Sequence, residues 1–354
     1  MGPPSMDDLR AQATRFLDEG EAFAQDYRWE EAAISFRHGA RCFHKLGDHE
    51  SEGFALRRAA QSYEALQPWR HAGQAWLGAA EAFSGHPPEP EQLPRTSETG
   101  EAYLWAGYTF WWAGQDYDSF RAHFLAGDAF SAVDDLVRAE RAYKFAAISK
   151  ARAFATTSRI NREVHPFFRE FVERDPLDDL ERIAAARQQA ADPEQREFAA
   201  RTHIDSLLAV RRALEEAGND AEASQVYLLE MNARRRYARD YRQWLTWFGL
   251  AYWGTVAAYG ESFWRWWLST LLLFVGVFPV LYAVAPFGRV EGAHHFGDDV
   301  YFSLVTATTL GYGDMRPEGW VKAIASIESL LGLLMFGVVL TVMVRGVRRF
   351  ARSG

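Results

Sequence analysis

The residues with the clearest chemical use form one unbroken string: Thr308, Thr309, Leu310, Gly311, Tyr312, Gly313 and Asp314. Stripping water from an ion requires replacement oxygens at close range, and a backbone whose carbonyls all point one way needs conformations that glycine visits cheaply. Gly311 and Gly313 supply that freedom. The rest of the chain offers little that is comparable. Its single cysteine, Cys42, excludes an intramolecular disulfide and a multi-cysteine zinc site, and it falls in an apolar helical pattern as a small core residue. The histidines and carboxylates of the N-terminal part show no spacing typical of a metal or catalytic site, so no enzyme active site is expected.

The elements around the string belong to a membrane protein. An amphipathic run from Asp298 to Ala307 precedes it and is too short to cross a bilayer. Trp266 to Gly288 contains no charged residue, and a helix of that length reaches about 30 Å, the thickness of the hydrocarbon core. Ala323 to Val344 gives a second span, interrupted by Glu328, and two crossings place both ends of the chain on one side. Arg234, Arg235, Arg236, Arg239 and Arg242 precede the first span, and Arg345, Arg348, Arg349 and Arg352 follow the second. By the positive-inside bias both ends are cytoplasmic. The segment between the spans sets Arg289, Arg316 and Lys322 against Glu291, Asp298, Asp299, Asp314 and Glu318, so it is acidic and external. The expected location is the plasma (inner) membrane, with the lipid bilayer as one partner.

In this setting the string 308–314 resembles the selectivity filter of potassium channels, with Leu310 where that motif commonly carries valine. Residues 264–349 resemble a two-transmembrane pore domain: an outer helix 264–286, a pore helix 298–308, the filter 309–314 and an inner helix 319–346. The resemblance implies that the carbonyls of Thr309, Leu310, Gly311 and Tyr312, with the Thr309 hydroxyl, line successive K+ sites. Four chains contribute to each ring, so the protein is a homotetramer; K+ is the permeant ion and no other cofactor is implied. Leu310 is conservative because it offers a carbonyl inward while its side chain packs outward. Tyr312 favours potassium over a general cation pathway. The C-terminal end of the pore helix aims partial negative charge at the membrane centre, which favours a cation. Val305 stands where some bacterial channels carry a glutamate paired with the aspartate after the filter; Asp314 lacks that partner, and Tyr301 can donate to it instead, with Thr308 as further filter support.

Gating candidates follow the filter. Gly332 lies about twenty residues past Gly313, where related inner helices carry a hinge glycine, and Gly337 gives a second weak point; the competing role of either is close packing against a neighbouring helix. Glu328, an ionisable residue within a span, is expected to hydrogen-bond behind the pore helix, to Ser303 or Thr306, rather than to touch ions. Phe336, Leu340 and Val344 at helical spacing can form an apolar constriction. No run of arginines at every third position precedes the pore, so strong voltage sensing is not expected.

Residues 1–239 read as helix after helix, with alanines and apolar residues recurring at three and four residue spacing. Gly39-Ala40 with Phe43, Ala59-Ala60 with Tyr63, and Ala79-Ala80 with Phe83 recur every twenty residues, and Gly127 with Phe130 is a degenerate copy. Twenty residues is one helix plus its turn, and small residues beside an aromatic let stacked helices approach closely. The pattern resembles tetratricopeptide-like or SNAP-like helical repeats, with turns at Gly47-Asp48, Pro68 and Gly114. Pro87, Pro88, Pro90 and Pro94 interrupt it, and Asp192-Pro193 marks another boundary. Such a scaffold suits a protein or peptide partner. The formal charge of -8 without a long basic stripe argues against nucleic acid. Residues 240–263, with Tyr241, Trp244, Trp247, Phe248, Tyr252 and Trp253, read as an amphipathic interfacial helix, either transmitting movement to the pore or serving as an aromatic anchor.

The expected fold class is therefore an all-α membrane protein: a cytoplasmic helical-repeat solenoid followed by a two-helix channel domain with a re-entrant pore loop. Met1 to Gln12 lacks signal-peptide character, which places the N-terminus in the cytoplasm. The tail ends ten residues past Val344, at Gly354, so regulation is expected through the N-terminal repeats. Two rival readings stay open: a non-selective cation channel, against which Tyr312 argues, and a membrane-anchored helical-repeat scaffold tetramerised by its pore domain, which would need no Thr309, Gly311 or Gly313.

Overall fold

The computed structural model describes residues 5–85, 96–157, 175–285 and 288–353, with backbone alone at 154–157, 263 and 338–353. The four prolines from Pro87 to Pro94 lie outside the described residues. The chain divides into two compact units, Met1–Ala233 and Arg234–Gly354. The division falls a few residues before the boundary expected at 239/240.

The first unit is a stack of helices: α1 (Met6–Gln25), α2 (Trp29–Leu46), α3 (His49–Leu66), α4 (Trp69–Phe83), α5 (Ser97–Trp112), α6 (Asp116–Ala132), α7 (Leu136–Thr157), α8 (Pro176–Arg187) and α9 (Pro193–Glu216). From α1 to α7 each helix packs on the next in sequence. Tyr27, Gly47, Gln67, Gly114 and Asp134, one at each junction between neighbouring helices from α1 to α7 except that of α4 and α5, adopt a left-handed conformation with φ between 59° and 71°. This conformation ends a helix and turns the chain back. Asp175 and Asp192 cap α8 and α9, accepting from the amides of Leu177 and Glu194 at 3.1 Å each, and a proline follows each cap where its missing N–H costs nothing.

The expected small-residue pattern is seated in the core: Ala59, Ala60, Ala79 and Ala80 are fully buried. The partner ring of a glycine, however, comes from the following helix. A Cβ on Gly53 of α3 would lie 2.6 Å from Phe83 of α4, one on Gly73 would lie 2.7 Å from Phe110 of α5, and one on Gly127 of α6 would lie 2.7 Å from Tyr143 of α7. The ring three residues on, as in Gly127 with Phe130, is committed elsewhere: Phe130 sits over Gly100 of α5. Burial without charge also governs His123, whose imidazole is pushed down to about 3 by desolvation and packs as a neutral ring, 5.4 Å from Phe145. Arg187 pairs with the buried Glu140, and Arg211 with the buried Glu230 at 3.0 Å.

The second unit begins within α10 (Asp220–Asp240) and continues through α11 (Trp244–Ala257). α11 has no charged residue; its large exposed side chains are Trp244, Leu245, Phe248 and Tyr252, and Thr246 and Thr255 are exposed beside them. Where an amphipathic helix was expected over 240–263, the structure has a helix of 14 residues without a charged face. It ends at a tight corner, Ala258–Gly260, where Ala258 and Tyr259 both have positive φ. Arg265 Nη2 closes the corner by donating to Thr255 O at 2.9 Å.

Next comes α12 (Phe263–Leu272), a π-helical turn (Leu273–Val277) and α13 (Phe278–Val284). Trp264–Val284 is long and apolar enough to cross a membrane, and among the described residues it is the one stretch that meets that test. After it, Val290–Glu291 pairs antiparallel with Arg316–Pro317, in the register Val290 to Pro317 and Glu291 to Arg316. Between these strands lie α14 (Phe296–Ala307) and the string 308–314; α15 (Val321–Ser353) follows and is continuous over 33 residues. The limits of these helices shift by a few residues from the expected 264–286, 298–308 and 319–346.

Gly127→Ala should destabilise the first unit by about 1–3 kcal/mol, because the added methyl must displace the fully buried Tyr143. Gly47→Ala, which meets no atom but keeps φ +70, should cost less, about 1 kcal/mol. Thermal unfolding of the two variants side by side reads the difference; equal losses would mean that the ring contact does not matter.

Candidate ion pathway

The string 308–314 begins where α14 stops, and the backbone itself stops it. Thr309 N donates to Thr306 O at 3.1 Å and Leu310 N to Val305 O at 3.0 Å. With Thr309 at φ +56, this is the pair of bonds that ends a helix through one left-handed residue. A β-branched residue pays for that conformation, so the position is held under strain. The Thr308 hydroxyl turns back to Leu304 O at 2.6 Å.

Beyond the cap, positive φ recurs at Gly311 (+52°) and Gly313 (+78°), while Leu310 and Tyr312 keep negative values. Left-handed residues at 309, 311 and 313 alternate with ordinary ones, and such alternation lines up successive peptide groups on one side of the chain. A Cβ at Gly311 or Gly313 would meet nothing within 4 Å, so both glycines are there for conformation and not for space. Leu310 and Tyr312 are exposed in the single chain.

Both ends of the string are tied down. Tyr301 Oη donates to Asp314 Oδ2 at 2.9 Å, the substitute partner anticipated for that carboxylate. Asp298 accepts from the amides of His294 (2.7 Å) and His295 (2.9 Å) at the start of α14, and those bonds hold its carboxyl below the usual range. Glu318 N donates to Arg289 O at 2.9 Å, and a Cβ on Gly288 would lie 2.3 Å from Glu318 O, so the two connections run in close contact.

The inner side of α14 rests on a buried polar knot. In the π-helical turn Phe278 N donates to Leu273 O, five residues back. The next donor in that register would be residue 279, but Pro279 has no N–H, which leaves the Phe274 carbonyl without a partner in its own helix. Ser303 of α14 supplies it, donating from Oγ to Phe274 O at 2.6 Å. Ser303 also bonds Glu328 of α15, whose other oxygen accepts from Tyr282 Oη; Glu328 and Ser303 are fully buried. Three helices thus meet at one carboxyl. Glu328 lies against α14 on Ser303, one of the two partners expected, and no bond links it to Thr306. Tyr282 and the Phe274 carbonyl escaped the sequence reading, though Pro279 inside an apolar run was the available signal.

Gly332 packs where α15 crosses α14: a Cβ there would lie 2.1 Å from Ala307 O. This contact gives the glycine a packing role at the place where a hinge was expected. At Gly337 a Cβ would meet nothing within 4 Å. Phe336 is exposed in the single chain, while the side chains of Leu340 and Val344 lie outside the described residues.

Ser303→Ala strands the Phe274 carbonyl and removes one partner of Glu328, and should cost about 1–3 kcal/mol of stability in detergent. Gly332→Ala has no flexible neighbour to displace and should abolish a monodisperse peak on size exclusion. A Gly332→Ala protein that elutes and melts like the parent would show that α15 does not pack on Ala307 in this way.

Residues 266–349 match the family model described as ion channel. No curated protein matches the chain. The match covers both long apolar segments, the short helix between them and the whole glycine string, and so coincides with the part of the molecule whose geometry points to ions. The C-terminal part of this chain is an ion-channel domain, and the protein belongs in a membrane.

Proposed function

We propose that this chain is one subunit of a homotetrameric, potassium-selective channel that conducts passively through the segment 309–314. The observation that carries the reading is the alternation of left-handed residues at 309, 311 and 313 directly after the capped end of α14, inside an ion-channel domain. The carbonyls of Thr309, Leu310, Gly311 and Tyr312, with the Thr309 hydroxyl, replace the hydration shell of K+, and four chains complete each ring. The exposed side chains of Leu310 and Tyr312 then pack against neighbouring copies. No cofactor is needed, and no catalytic step is proposed.

Both ends of the chain face the cytoplasm, as the arginines flanking the spans direct. The outward bonds at Tyr301 and Asp314 brace the filter from the external side, and the Glu328 knot braces it from behind. Gly332, Gly337 and the apolar residues Phe336, Leu340 and Val344 provide the bend and constriction of the inner mouth. The helical stack of the first unit regulates opening, by binding a protein or peptide or by contacts among its copies.

The test is ion flux from liposomes containing the purified full chain, under potassium and sodium gradients, for the parent and Gly311→Ala. Ala at φ +52 is strained, so the substitution should reduce potassium flux at least about tenfold, the effect of a cost near 1.4 kcal/mol on a single conformation. Equal sodium and potassium flux in the parent would replace the reading with a non-selective cation pore. Undiminished potassium flux in the variant would remove the filter from its assigned place.

A further inference from the structure

The turn between α2 and α3 gathers a constellation that linear spacing hides. His44 lies in the last turn of α2, His49 opens α3, and Glu52 follows one helical turn later. Gly47 at φ +70 ends α2, and Asp48 caps α3 by accepting from Ser51 N at 3.1 Å, so the reversal between the helices is tight. The three side chains consequently share one small volume, their nearest ligand atoms within 4.8 Å of one another.

We propose that His44 Nδ1, His49 Nδ1 and a Glu52 carboxylate oxygen form a binding site for a first-row divalent cation of the zinc and cobalt class. The distances suit such an ion. His44 Nδ1 stands 3.1 Å from each Glu52 oxygen, and His49 Nδ1 stands 3.3 Å from Oε2. Metal–nitrogen and metal–oxygen bonds of roughly 2.0–2.1 Å in a tetrahedron set neighbouring donor atoms about 3.3–3.4 Å apart, so a small movement of side chains admits the ion. In the absence of metal the same nitrogens serve the carboxylate as hydrogen-bond donors, which keeps the donors converged.

Donor chemistry selects the metal class. Two imidazoles and one carboxylate favour zinc, cobalt, nickel or copper, whereas calcium and magnesium call for an oxygen shell. Exposure gives the site a floor and a mouth: the Glu52 side chain is 7% exposed, against 56% for His44 and 38% for His49. Three protein ligands leave a fourth position toward solvent, for water or a donor from a partner. The C-terminal end of α2, with its partial negative charge, lies beside His44 and adds to the attraction for a cation. The site belongs to the first unit and does not depend on the reading of the second as potassium-selective.

The experiment uses the full chain, purified without a polyhistidine tag, titrated with Co2+ and followed by its visible ligand-field absorption, with Zn2+ added afterwards as competitor. One Co2+ per chain should give the strong bands of a four-coordinate centre, displaced by Zn2+. His49→Ala and His44→Ala, at partly exposed positions that should leave folding intact, should each weaken Co2+ binding at least about tenfold, since even outer partners of a metal ligand are worth that much. His71→Ala, a histidine outside the cluster, should bind like the parent. Weak octahedral bands alone in the parent, or binding unchanged in both cluster variants, would overturn the site. Channel flux plays no part in the readout, so failure here leaves the proposed function where it stands.

Discussion

A carbonyl that its own helix cannot satisfy must be met by another group before it can sit in an apolar interior, and Phe274 O is such a carbonyl. In a hydrocarbon surround no water is available to take up the bond. Pro279 creates the deficit, the π-helical turn displaces it to Phe274, and Ser303 removes it. Because Ser303 belongs to the helix that ends in the glycine string, the repair also fixes that helix against the outer segment. Glu328 then joins the inner helix to the same serine and to Tyr282, so one backbone deficit organises three elements. The position of the string follows from this: a helix pinned in its middle by Ser303 and terminated by its own backbone at Thr309 can place the next residues in one way.

Residues near in sequence were legible. The glycine string declares itself because its conformational demand is written in adjacent residues, and the bond between Tyr301 and Asp314 follows from asking what an aspartate there could pair with. Glu328 was legible for a different reason: an ionisable residue in an apolar span needs a partner, and Ser303 was near at hand in the implied packing. Tyr282, 46 residues from Glu328, was not, because no periodicity connects two helices separated by a loop and a third helix. The lack of charge along α11 was also missed, since an aromatic-rich segment next to arginines looks two-faced until the arginines are found outside the helix.

The helical stack shows the same division. A period of twenty residues located the helices, because a turn and a small-residue contact recur in each. It could not say which ring covers which glycine: Phe130 follows Gly127 at three residues yet covers Gly100, while Gly127 is covered by Tyr143. The histidine and glutamate cluster failed to appear in the sequence for a related reason. Its members stand at i, i+5 and i+8, which is no helical face; only the left-handed Gly47 and the cap at Asp48 fold that spacing into a shared volume. Where chemistry depends on a reversal of the chain, spacing rules drawn from a single helix have nothing to detect.

Glycines in the second unit serve two distinct purposes, and the distinction bears on assembly. Gly288 and Gly332 are required by the close approach of other backbone, 2.3 Å and 2.1 Å from where a Cβ would stand, and each contact is complete within one chain. Gly311 and Gly313 have no such neighbour and are required only by their φ angles. A loop held on one side by α14 and open on the other, with Leu310 and Tyr312 60% and 67% exposed, is an unfinished structure by the standard of a protein interior. Ile327, Leu330, Leu333 and Leu334 of the inner helix are exposed in the same way. Lipid can cover the helix, since a hydrocarbon surround asks only for apolar side chains, but it cannot serve a loop of aligned peptide groups, whose polar atoms would be stranded there. Those groups need water, ions or further peptide groups opposite them, and an ion-conducting axis shared by several copies of the chain provides all three.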